Sequence, residues 1–212
     1  PVITATQMLL SMTQNERATR AEISDVANAV LDGTDVVMLS EESAVGEDPI
    51  NVVDTMHNII AKTEGIYNYD KQYEMPYLDE FDVIQATVTK LADDLKANGI
   101  LAITSSGKSA LKMSRYRPRT PIFTFTHKKK VLNSLTAIWG VEPIGIIKEA
   151  QASKMFQKML KSLDEIGKLK KDGLYVATVG YPVGMPGSTN TIKILTPSEI
   201  EYYLNFKEKK SK

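Results

Sequence analysis

Apolar positions in the first third of the chain switch between two periods. "PVITAT" at residues 1–6 is β-rich and free of charge, the pattern of a parallel strand covered on both faces. In "TRAEISDVANAVLDG", Ile23, Val26, Ala27, Val30 and Leu31 recur at the spacing of an amphipathic helix, and Gly33 stands at its C′ position. "DVVMLS" reads as a second buried strand. Asp48 and Pro49 then read as N-cap and N1 of a helix through Val52, Val53, Met56 and Ile60. Two strands and two helices cannot bury their own apolar faces, so this segment is expected to need further strands upstream of Pro1.

Between Tyr67 and Phe81 the periodicity breaks into "YNYDKQYEMPYLDEF", expected as a linker over 67–81. Beyond it a helix carries Ile84, Val88, Leu91 and Leu95 on one face and stops at Asn98 and Gly99. Strands are expected at "ILAIT", "PIFTFT", "VEPIGII", "GLYVATVG" and "NTIKIL", with helical patterns after the first three, one bearing Ala152, Met155, Phe156, Met159 and Leu163. Strand and helix alternation predicts a three-layer αβα domain over 82–200 with a mostly parallel five-stranded sheet. The last two strands have no room for a crossover helix and are expected to run antiparallel. Residues 201–212 read as a charged tail.

Composition narrows the function classes. Lys plus Arg and Asp plus Glu each number 26, so no net field draws the chain to nucleic acid or an anionic membrane. With no Cys there is no disulfide framework and no thiolate metal site. No apolar run approaches a membrane span and no signal peptide opens the sequence, so a cytoplasmic location is expected. No Asp, Glu and His cluster has metal-ligand spacing.

The motifs "ITATQML.SM", "TRAE.SDVANAVLDG", "MLS.E.A.G..P", "TSSGKSA", "SRYRPRTPI" and "GSTNTIKI", in this order, resemble pyruvate kinase from Pro1 to about Pro197. The resemblance implies an α/β architecture: residues 1–66 as the end of a partial (β/α)8 barrel, then the C-terminal αβα regulatory domain. The barrel's first six strands and the family's cap domain are then absent from this chain. The implied activity is transfer of the phosphoryl group of phosphoenolpyruvate to ADP, giving pyruvate and ATP. Mg2+ and K+ would be the cofactors, held by residues upstream of Pro1, so the isolated chain is expected to be inactive. A homo-oligomer, a tetramer in the parent enzyme, is also implied.

Catalytic side chains of such barrels project from strand C-termini. Thr6 matches the active-site threonine in "ATQ", beside the enolate; Ser40 and Glu42 match the "LSGETA" turn of the proton-relay network, although here it reads "LSEESA". From residue type alone, Thr6 better suits a hydroxyl satisfying strand-end backbone, and Glu41, Glu42, Glu47 and Asp48 suit a solvated acidic rim. Arg20 and Glu22 read either as ordinary first-turn charges or as part of a subunit interface.

"TSSGKSA" places small residues between a strand and a helix, a turn that packing alone favours but that also suits a phosphate. By resemblance Thr104, Ser106, Gly107, Lys108 and Ser109 match an effector-phosphate loop, and Gly187, Ser188 and Thr189 a partner loop. A basic residue after the threonine is replaced by Ser105, and "GYPVGMPGSTN" carries no cation, so fructose bisphosphate fits this site poorly. Another phosphorylated effector, or none, remains open. "HKKK" at 127–130 reads as a solvated run.

Overall fold

The computed structural model describes residues 1–69, 76–149, 151–180 and 189–206. The chain divides into two compact units, Pro1–Asn68 and Tyr69–Lys212.

The first unit runs β1 (Ile3–Thr4), a 3-10 turn (Leu10–Thr13), α1 (Arg20–Leu31), β2 (Val36–Val37), α2 (Glu41–Ala44) and α3 (Pro49–Glu64). β1 and β2 pair in parallel, Ile3 opposite Val36 and Thr4 opposite Val37. α1 ends as its sequence dictates: Asp32 is the C-cap, and Gly33 at φ +93° takes the left-handed conformation that costs a residue without Cβ little. Asp48 caps α3 by accepting from the Asn51 N–H at 3.0 Å, with Pro49 in the first turn. Met8, Leu9, Met12, Val26, Val52 and Met56 form the core, the larger of these side chains contributing about 1.5–3 kcal/mol each when fully buried.

The strands depart from expectation. Each spans two residues rather than six, and Val2 and Ile3 are 62% and 54% exposed instead of covered on both faces. Pairing defines how far a strand extends, and a two-stranded ribbon leaves both outer edges without a neighbour. Ile23 and Leu31 of α1 are likewise 40% and 43% exposed, while Val26 and Val30 are buried.

The second unit contains α4 (Glu80–Asp94), β3 (Gly99–Ile103), α5 (Lys108–Arg115), β4 (Ile122–Thr126), α6 (Lys129–Ser134), β5 (Val141–Ile146), α7 (Ala152–Glu165), β6 (Tyr175–Gly180), β7 (Thr189–Leu195) and α8 (Pro197–Leu204). Its sheet has the order β5-β4-β3-β6-β7, parallel except for the antiparallel β6 and β7 pair. Alternate residues of β3 feed two cores. Leu101 joins Phe125, Met155 and Met159 on one face; Ile100 and Ala102 join Val88 and Met113 on the other. Two apolar layers flanking one sheet make this a three-layer αβα domain. α8 continues to Leu204, four residues into the segment expected as tail, and residues 207–212 lie outside the described part.

α4 buries more than its apolar stripe. Asp82, Gln85 and Thr89 are 0% exposed, whereas Leu95, expected on the inner face, is 38% exposed. Asp82 is held by the Leu78 N–H at 2.9 Å, the Tyr116 hydroxyl at 2.9 Å and the Arg115 guanidinium at 2.6 Å.

Candidate functional site

In the first unit, β1 and β2 end side by side, and the residues after each carry the candidate chemistry. Thr6 and Gln7 follow β1 with φ of +70° and +52°, two consecutive left-handed residues without glycine. Such backbone costs roughly 1–2 kcal/mol per residue and persists only where surrounding contacts enforce it. Thr6 is exposed. The next residues are anchored, with Met8 5% and Leu9 0% exposed.

Glu42, in the turn after β2, supplies one of the contacts that enforce this loop. Its carboxylate accepts from the Leu9 N–H at 3.1 Å with Oε1 and from the Ser40 N–H at 2.8 Å with Oε2. The residue is 1% exposed, while Glu41, Glu47 and Asp48 are exposed, so Glu42 is not part of a solvated rim. Burial pushes its pKa up, but the Ser40, Glu42 and Leu9 backbone N–H groups outweigh that and the carboxyl sits below its ordinary value. Glu42 is therefore ionised at neutral pH, with both oxygens engaged by backbone. It links the Thr6 loop to the Ser40 turn; a group so committed is suited to holding geometry rather than delivering a proton. Ser40 is half-buried, and its carbonyl accepts from the Ala44 N–H at 3.0 Å.

A second carboxylate, that of Glu22, expected either as an ordinary first-turn charge or as part of a subunit interface, reaches the same loop. Glu22 in the first turn of α1 accepts from the Ser11 N–H at 2.7 Å, the Ser11 hydroxyl at 2.5 Å and the Thr19 N–H at 2.8 Å. With Thr19 it completes a capping box. The Thr19-x-x-Glu22 spacing was the sequence signal for that box; nothing local signalled Ser11. Burial raises the Glu22 pKa, and the Ser11 and Thr19 hydrogen bonds overcome it, leaving the group more acidic than an ordinary glutamate. Arg20 is exposed.

Among the described residues no three His, Cys, Asp or Glu side chains gather in a way that could hold a metal ion. With both Glu42 oxygens occupied, the described residues do not fit a resident Mg2+ or K+.

The second unit brings together part of the other predicted set. Thr104, 4% exposed after β3, accepts from the Gly107 N–H at 2.9 Å; Gly107, at φ +86°, is the N-cap of α5. Ser109 is 5% exposed, with its hydroxyl 3.4 Å from that of Thr189 at the start of β7. Ser106 and Lys108 are exposed, as are His127 and Lys128–Lys130. Gly187 and Ser188 lie outside the described residues.

Two parallel β/α units followed in sequence by a three-layer domain with a mostly parallel sheet define an α/β protein. Residues 82–195 match the family described as pyruvate kinase, alpha/beta domain, and residues 1–53 match pyruvate kinase, barrel domain. A pyruvate kinase from Lactobacillus delbrueckii subsp. bulgaricus is 41% identical over 200 residues, covering 92% of this chain and 34% of the relative. One from Clostridium acetobutylicum is 41% identical over 198 residues, 92% of this chain and 42% of the relative. Pyruvate kinase 2 of Synechocystis is 40% identical over 194 residues, 92% and 33% respectively. The chain belongs to the pyruvate kinase family. It spans 33% to 42% of the length of these curated relatives. Among the described residues no helix is long and apolar enough to cross a membrane.

Proposed function

We propose that this chain serves as the C-terminal part of a pyruvate kinase, which transfers the phosphoryl group of phosphoenolpyruvate to ADP and protonates the resulting enolate at carbon. The observation that carries the reading is the left-handed Thr6 just after β1, in a loop whose Leu9 N–H is joined through the buried Glu42 to the Ser40 turn after β2. In this reading the Thr6 hydroxyl faces the enolate carbon and donates a proton, or orients the water that does. Ser40 completes the polar wall, and Glu42 holds Ser40 directly and the segment after Thr6 through the Leu9 N–H. Phosphoryl transfer itself needs concentrated positive charge against the transferring group, supplied by Mg2+, K+ and a lysine from the rest of the barrel. The isolated chain is then inactive. The test is pyruvate formation from phosphoenolpyruvate, ADP and Mg2+ by the folded, purified chain beside Thr6→Ala. Turnover lost in that variant would overturn the assignment of the metal carboxylates to another segment.

A second reading, a phosphometabolite-binding module, is favoured by the approach of Ser109 to Thr189 across 80 positions of sequence. The residues around Thr104, Gly107 and Ser109 would take an anionic phosphate through backbone N–H groups and hydroxyls, with Lys108 at the rim. If fructose bisphosphate, AMP and sugar monophosphates all leave the melting temperature unchanged, this reading fails. Assembly as a homo-oligomer and residence in the cytoplasm accompany the first reading. Sizing chromatography at micromolar concentration tests the assembly.

A further inference from the structure

We infer that Glu22 is a positioning residue for Thr6, clamping the loop that follows β1 from the α1 side as Glu42 clamps it from the α2 side. The inference rests on the reading of Thr6 as the substrate-facing hydroxyl.

A helix cap alone would need only the bonds between Glu22 and Thr19. Glu22 goes further, taking both the N–H and the hydroxyl of Ser11, which lies outside α1. Ser11 is two residues beyond Leu9, whose N–H is held by Glu42. Two carboxylates on separate helices thus grip backbone N–H groups two residues apart, and the segment between them is pinned at both ends. Thr6 and Gln7, separated from it by Met8 alone, hold a left-handed conformation that no glycine relieves. A loop with that local preference against it relaxes unless its exit is fixed, and Leu9 to Ser11 is the exit. The Met8, Leu9 and Met12 side chains bury the same segment, but apolar contacts tolerate sliding whereas charge-assisted bonds fix direction. Glu47 adds a further tie, its N–H donating to the Thr13 carbonyl at 3.1 Å. A shift at Ser11 is therefore transmitted toward Thr6 rather than absorbed downstream.

The experiment compares Glu22→Gln with Val30→Ala, a buried variant on the same helix outside the cluster that Met8, Leu9 and Met12 form. In the 15N-labelled chain, Glu22→Gln is expected to speed amide exchange at Ser11 and to shift the Thr6 resonances; Val30→Ala is expected to do neither beyond its global loss of stability. In the assembled enzyme containing this chain, Glu22→Gln is expected to lower kcat about tenfold with KM for phosphoenolpyruvate within about twofold, the mark of a misplaced proton-transfer group. Val30→Ala at equal thermal loss should keep kcat. Unchanged Ser11 exchange overturns the clamp, and so does a freed Ser11 with unmoved Thr6 signals. Equal kcat losses in both variants reduce Glu22 to a stability role. If the unsubstituted assembled enzyme makes no pyruvate, the functional reading falls, and the Ser11 and Thr6 signals still decide whether Glu22 holds the loop.

Discussion

Replacing Asp82 by Ala should destabilise the second unit by about 3 kcal/mol. One carboxylate oxygen of this fully buried residue accepts from the Leu78 N–H, the Tyr116 hydroxyl and the Arg115 guanidinium, while Lys112 Nζ stands 3.9 Å from the other. Hydrogen bonds to a charged group are worth roughly 1.5–3 kcal/mol each, but three sharing an acceptor do not add. Removing one partner of a buried pair costs about 3–5 kcal/mol because the other charge is stranded. The Arg115 side chain keeps 26% of its exposure and can rehydrate, which selects the lower end. The assay is urea unfolding followed by fluorescence of Trp139, the only tryptophan and a member of this unit. With Arg115→Met, a double-mutant cycle should return a coupling above about 1 kcal/mol. Acid adds a second readout. Burial raises the Asp82 pKa, and the Leu78, Tyr116, Arg115 and Lys112 interactions more than reverse it, so the folded value lies below the unfolded one. The resulting stability is present above about pH 4 and lost as pH falls through the folded value, a loss the Asp82→Ala variant should lack. A cost under about 1 kcal/mol, or no coupling to Arg115, would refute the reasoning.

Tyr116, pushed up to about 12 by burial and by its bond to the Asp82 carboxylate, contributes stability that is complete below about pH 10 and disappears as pH rises through about 12. Ultraviolet titration should show a late phenol that is missing in Tyr116→Phe, apart from that of Tyr175, which burial also pushes up. Gly107→Ala places a Cβ 3.3 Å from Leu135 Cδ2 on a backbone of φ +86°, and should cost roughly 1–2 kcal/mol in thermal unfolding; a neutral result would mean the turn adopts another conformation. Met56→Ala, at a 5% exposed position in the first unit's core, should cost about 2–4 kcal/mol, read as faster amide exchange in α1 and α3.

Features whose determinants lie within a few residues were legible. Asp48 and Pro49 mark the start of α3, Gly33 marks the end of α1, and the short span between β6 and β7 dictates their antiparallel pairing. What escaped depends on distant partners. Apolar counting cannot place Asp82 on a buried face, because the groups that make it tolerable, Arg115 and Tyr116, arrive 33 and 34 residues later. Nor can it give the true extent of β1 and β2, since strand length is set by the neighbour and not by the run of Val and Ile.

The candidate site divides along the same line. Thr6, Ser40 and Glu42 stand out through motif likeness, yet the feature that makes Thr6 unusual, its left-handed backbone, belongs to a threonine and carries no glycine to announce it. Glu22 looks like any first-turn acid until the fold delivers Ser11 to it. Local preference and native structure disagree over Thr6 and Gln7, and two carboxylates with depressed pKa values hold the Leu9 and Ser11 N–H groups that follow. Conflict between levels is expected where geometry serves chemistry rather than stability. The arrangement also implies a common acid limit: protonating either carboxylate weakens an acceptor that the strained loop needs, so the geometry at Thr6 should fail together with the two clamps as pH falls below the ordinary carboxylate range.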